Sequence, residues 1–199
     1  MELKERLEKI KEIIETDSFF NQQSLGGELN FHIFDYNPED ELTVRNYIKD
    51  FLKSYSHTNS KIKPVEFDLF EMIIEILQNK KVGNKNILDM SFVVEDEDGT
   101  EELFDSLNPI LTPAAFIELI KERVEGHNLV LLTGIGKAYP LVRSHTILNN
   151  LHSVLDKIPV IMFYPGRYDQ KDLKLFNNGS SFTGLKDDNY YRAFKLVEN

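Results

Sequence analysis

Apolar residues recur at helical spacing at the start of the chain. Leu3, Leu7, Ile10, Ile13 and Ile14 share one face, while Glu and Lys fill the other, with Glu5 and Lys9 one turn apart. Thr16-Asp17-Ser18 ends that helix, Phe19 and Phe20 are expected to dock on the body, and Gly26-Gly27 makes a break. The run from Leu29 to Tyr36 reads as a strand. Asn37-Pro38 and the acids Glu39, Asp40 and Glu41 then start a helix whose stripe is Val44, Tyr47, Ile48, Phe51, Leu52 and Tyr55. Pro64–Phe67 is short and extended, and Asp68 with Glu71 can form a capping box for a helix over 69–79, which the polar residues around Gly83 end. Residues 87–94 read as another short strand, and the acidic run 95–105 as a solvated loop, or else as an anion mimic or a dock for a basic partner. Thr112-Pro113 opens a helix with Phe116, Ile117, Ile120 and Val124 inward and Gly126 as its stop.

The last third alternates more plainly. Leu129–Leu132 is a continuous apolar run, the mark of a strand buried on both faces. Residues 133–140 read as a loop, 141–155 as a helix with Ile147, Leu148, Leu151, Val154 and Leu155 on its core face, and 159–164 as a second buried strand ended by Pro165-Gly166. Residues 191–197 read as a final strand. The alternation predicts an α/β fold with a mainly parallel sheet flanked by helices on both faces. The expected organisation is one α/β domain over 1–199, with the amphipathic helix of residues 1–20 packed on it or on a partner.

Composition narrows the chemistry. The 199 residues include no Cys, which removes disulfide scaffolds, zinc ribbons, iron–sulfur sites and a thiol nucleophile. The net charge of −10 is not spread evenly. Residues 95–105 carry seven acids and no Lys or Arg, whereas 121–195 hold 11 Lys or Arg against 7 Asp or Glu. The acidic balance therefore argues against a wholly nucleic-acid-binding surface without excluding a local basic patch. No apolar run approaches the roughly 20 residues that span a bilayer, and the charged start lacks a signal-peptide core. The cytoplasm is the expected compartment.

In open parallel sheets, ligands sit at the carboxyl ends of strands. The loops expected there supply Asp35 and Tyr36; Thr133, Gly134, Gly136 and Lys137; and Tyr164, Pro165, Gly166, Arg167, Tyr168 and Asp169. These residues form a candidate interaction or ligand rim, unless their glycines serve only tight turns. Gly134, Gly136 and Lys137 fit neither a phosphate loop, which needs Ser or Thr where Ala138 stands, nor the dinucleotide fingerprint, which needs Gly where Tyr139 stands. Arg143, Ser144 and His145 open the following helix, with Asn149 one to two turns on, and add to the rim as possible anion contacts. His145 and His152 lie two turns apart, too far to share a metal unaided. No G-x-S-x-G or H-E-x-x-H segment occurs, so no catalytic, cofactor or metal residues are assigned. The tail residues Tyr191 and Arg192 suit a protein-binding hot spot or base stacking.

Several ordered segments resemble the BrxB family: Leu131-Leu132-Thr133-Gly134-Ile135-Gly136, Tyr139-Pro140, Arg143-Ser144-His145 and Leu148-Asn149-Asn150-Leu151. So do Phe163–Asp169, Leu173-Lys174-Leu175-Phe176 and Asn189-Tyr190-Tyr191-Arg192-Ala193-Phe194. The resemblance implies a small component of BREX, a bacterial and archaeal phage-defence system that modifies host DNA with the methyltransferase PglX and also contains an ATPase and the phosphatase-like PglZ. It implies a non-catalytic adaptor that binds PglZ and links it to other BREX proteins. The element order is similar to a P-loop NTPase-type sheet without its phosphate loop, a likeness that bears on fold alone. A nucleic-acid-binding component of the complex and a degenerate nucleotide-binding domain are the alternatives.

Overall fold

The computed structural model describes residues 1–21, 30–57, 59–142, 144–151, 154–155, 157–169, 173–176 and 193–198. The chain opens with helix α1 (Leu3–Ile14) and the short α2 (Asp17–Asn21), then enters strand β1 (Phe31–Tyr36). A 3-10 turn over Pro38–Asp40 leads into α3 (Glu41–Ser54), followed by β2 (Pro64–Asp68) and α4 (Leu69–Asn79). A two-residue hairpin, β3 (Lys81–Val82) and β4 (Lys85–Asn86), precedes α5 (Ile87–Asp98), α6 (Thr100–Leu107) and α7 (Pro113–Val124). The last part runs β5 (Leu129–Thr133), α8 (Ile135–Ala138), α9 (Ser144–Leu151), β6 (Val160–Tyr168), β7 (Leu173–Leu175) and β8 (Phe194–Lys195).

The main sheet has the order β2-β5-β6-β1-β8, every neighbouring pair parallel, with β7 antiparallel on the far end of β6. Register pairs Phe31 with Val160, Val130 with Val160, and Pro64 with Leu129. Every residue of β1 and β5 is buried, as expected for strands covered on both faces. On one face α1 and α3 bring Leu7, Ile10, Ile14, Val44, Ile48 and Phe51 onto Phe34, Leu131 and Phe163. On the other, α4, α7 and α9 bring Ile73, Phe116, Ile120 and Leu151 onto Ile33, Leu132 and Met162. Burying each such side chain contributes about 1.5–3 kcal/mol. The apolar stripe of the first helix is therefore packed on this chain's own sheet, and Phe19 joins it, stacked 4.9 Å from the buried His32 ring.

Five expectations are corrected. Residues 87–94 are helix, not strand, and the acidic run is the end of α5 and most of α6, not a loop. The side chain of Asn86 accepts from Asp89 N and caps α5. The segment 133–140 contains the helical turn α8, entered through Gly134 at φ +71°. The strand beginning at Val160 does not stop at Pro165-Gly166: it leaves β1 at Tyr36 and continues to Tyr168, paired with β7. A proline is tolerated there because only its carbonyl is used, accepting from Phe176 N at 3.0 Å. The final strand shrinks to Phe194–Lys195, and residues 191 and 192 lie outside the described residues.

Candidate functional site

A parallel sheet puts all its carboxyl ends on one edge, and Asp35, Tyr36, Thr133 and Tyr164 stand at or near those ends. Eight of the expected rim residues belong to strands, not loops. Asp35 and Tyr36 close β1, Thr133 closes β5, and Tyr164 to Tyr168 lie within β6.

Asp35 is 2% exposed. Its Oδ1 accepts from Arg6 of α1 at 2.9 Å, and its Oδ2 accepts from Tyr168 N at 3.1 Å and faces Lys195 Nζ at 3.2 Å. The Arg6 guanidinium lies over the Phe34 ring and donates to Val197 O. One carboxylate thus ties α1, β6 and β8 to the end of β1. Nothing near Asp35 in the sequence announces this, because its partners are 29, 133 and 160 residues away. Tyr168, read as a rim side chain, is buried, and its hydroxyl donates to Ala193 O at 2.6 Å.

A second cluster joins β2, β5 and α8. Asp68 caps α4, its Oδ1 accepting from Phe70 N at 3.0 Å and Glu71 N at 3.3 Å. Its Oδ2 receives Lys137 Nζ at 2.5 Å, and Glu71 lies 3.9 Å from the same ammonium. The buried Thr133 hydroxyl donates to Glu66 at 2.7 Å. Burial pushes the Glu66 carboxyl up from its ordinary range, against the opposing pull of that hydrogen bond. Tyr36, at the end of β1, donates to Glu41 at 2.5 Å, and burial followed by that acceptor pushes its hydroxyl up. Asp68 and Glu66 are the members that chain-local reading missed. The capping pattern announced Asp68 as a helix start, but not as the partner of Lys137.

The glycines are explained by packing. Gly134 needs its positive φ, and a Cβ there would run into the Asp68 carboxylate. At Gly136 a Cβ would press at 3.1 Å on both Phe176 and Pro165. Gly166 lies against the backbone of Lys174. Arg167 and Asp169 are exposed, Tyr164 is buried, and Asn149 is half-buried in α9. Arg143, Tyr191 and Arg192 lie outside the described residues, as do the side chains of Ser144 and His145. A cleft of about 350 Å³ is lined by Phe104, Asn108, Leu111, Pro113, Pro140 and Val142.

Lys137 is bound to Asp68, and Thr133 is shut away with Glu66. The turn after β1 presents Glu39, Asp40 and Glu41, a poor environment for a phosphate. Among the described residues, no three His, Asp or Glu side chains converge as a metal set. No helix of the described residues is long and apolar enough to cross a membrane.

The fold and this edge define a parallel α/β protein whose sheet-end carboxylates are engaged in internal links. Family comparison takes this further. Residues 65–196 match the family model described as BREX protein BrxB. Over 98% of its length the chain is 40% identical to "BREX protein BrxB" of Bacillus cereus (strain H3081.97), covering 98% of that protein. It is 34% identical to "BREX protein BrxB" of Escherichia coli O9:H4 (strain HS), over 98% of this chain and 92% of that one. The chain belongs to the BrxB family of the BREX phage-defence system. No solved structure matches it.

Proposed function

We propose that this chain is a non-catalytic adaptor of the BREX machinery, binding PglZ and linking it to other BREX proteins in the cytoplasm. The carboxyl edge of its sheet and α9 supply part of the contact surface. The observation that carries this reading is the engagement of the edge's ionic groups with one another. Asp35 holds Arg6 and Lys195, Asp68 holds Lys137, and Glu66 holds Thr133. Such links fix a surface in shape, which an adaptor requires. The nucleic-acid reading has less support. Arg123, Lys137 and Lys195, from the mildly basic third of the chain, already face Glu75, Asp68 and Asp35. The acids after β1 weigh in the same direction against a nucleotide.

The test is pull-down of each purified BREX protein by the full chain, with exposed Arg167→Glu as the rim variant. Retention of PglZ, weakened at least several-fold by Arg167→Glu in a protein of unchanged melting midpoint, is expected. Failure to retain any BREX protein overturns the proposal.

A further inference from the structure

Helix α5 presents an uncovered face that no part of the reading above uses. Its first two turns are apolar nearly all round: Ile87, Leu88, Met90, Phe92, Val93 and Val94. A helix of that character is normally buried on every side. Here Ile87 and Leu88 pack against the core, and Ser91 is buried. Phe92 remains 62% exposed and Val93 48% exposed. Asp89, Phe92, Val93, Asp96 and Glu97 follow the i, i+3, i+4, i+7, i+8 spacing of a single helix face, and all five are exposed. The face is therefore a short apolar ridge flanked by carboxylates. It is continuous with the exposed acids Glu95, Asp98, Glu101, Glu102 and Asp105 of α5 and α6. Among the described residues, none of the seven acids in 95–105 has an ion-pair partner.

The geometry points to this α5 face as a docking surface for a Lys/Arg-rich amphipathic segment of a partner protein. Its apolar residues cover Phe92 and Val93, and its cations meet Asp89, Asp96 and Glu97. Charge complementarity selects that occupant. A second copy of this chain would set acid against acid, and a nucleic acid would be repelled outright. The apolar ridge supplies holding strength, and the surrounding acids supply steering that fades with salt. The surface rests on its own observations. It stands or falls separately from the proposed rim contact, which lies at the carboxyl edge of the sheet.

The test uses the intact protein and a fluorescein-labelled peptide of Leu and Lys at helical spacing, followed by anisotropy at low and at physiological salt. A Leu/Glu peptide of the same pattern and a labelled DNA duplex serve as controls. Binding of the Leu/Lys peptide alone is expected. Phe92→Ser with Val93→Ser should weaken it about tenfold or more. Asp96→Asn with Glu97→Gln should weaken it several-fold, whereas Glu8→Gln with Glu12→Gln, an equal charge change on exposed positions of α1, should leave it unchanged. Melting midpoints and sedimentation accompany each variant. Unchanged binding in Phe92→Ser with Val93→Ser would overturn the proposal. So would equal losses from the two charge-removing pairs, binding of the DNA duplex at this face, or dimerisation that Phe92→Ser abolishes.

Discussion

The Asp35 cluster offers the sharpest test of how this fold is held. Two cations, Arg6 and Lys195, share one carboxylate, and all three side chains are under a tenth exposed. Asp35→Ala would leave both cations without their anion and Tyr168 N without its acceptor. Removing one partner of a buried pair costs about 3–5 kcal/mol, and an orphaned buried N–H adds about 1–3 kcal/mol. Partial relaxation of Lys195 toward water offsets some of this, so a net loss of about 4 kcal/mol is expected. Lys195→Met behaves differently, because it leaves the Arg6–Asp35 pair intact and electrically balanced. Its cost should stay below about 1.5 kcal/mol. Urea unfolding reads the contrast. With a slope of about 2 kcal/mol per molar for a chain of this size, Asp35→Ala should lower the midpoint by about 2 M and Lys195→Met by less than about 0.8 M. Because α1 is tied to Asp35 through Arg6, limited proteolysis should cut Asp35→Ala within residues 1–21 first. Equal midpoint shifts for the two variants, or an Asp35→Ala loss below about 1 kcal/mol, would refute the reasoning.

Three further outcomes follow from the geometry. Burial holds His32 well below its ordinary value, at about 4, so the unfolded chain takes up the proton first. Stability should be full above pH about 6.5 and fall by about 3 kcal/mol as pH drops toward 4; parallel urea midpoint–pH curves for wild type and His32→Gln would contradict this. Gly134→Ala should cost about 2–4 kcal/mol, since its positive φ is compounded by the Asp68 carboxylate, whereas Gly83→Ala, with positive φ but open space, should cost about 1 kcal/mol; melting midpoints separate the two. Asp68→Ala removes the α4 cap and the Lys137 partner together and should cost about 1–3 kcal/mol, read by the same melts.

What could be read along the chain was whatever is local in sequence. The continuous apolar run of β5 announced a strand covered on both faces, and Asp68 before an apolar helical stripe announced the start of α4. The stripe of Val44, Ile48 and Phe51 placed α3 without ambiguity. Helix α5 was illegible because periodicity reveals a helix only when one face is polar. Residues 87–94 are apolar on the core side and at the uncovered Phe92 and Val93 alike. Pro165 was read as a terminator because a proline usually ends pairing, yet at that point β6 exchanges partners and needs only a carbonyl. The roles of Asp35, Thr133 and Tyr168 were not legible, because each is set by contacts distant in sequence. Whether Asp35 faces solvent or two cations depends on Arg6 and Lys195, which only the folded chain brings to it.

The role proposed for this protein is to hold BREX proteins together through its surface. The most direct measurement is co-purification of the full chain from cells expressing the whole BREX cluster, followed by lysine cross-linking and mass spectrometry. PglZ is expected to co-purify, with cross-links from Lys174 near the sheet's carboxyl edge. Links from Lys81 or Lys85, in the hairpin that leads into α5, to a basic segment of a partner are expected as well. Purification of the chain free of every other BREX protein would contradict this role.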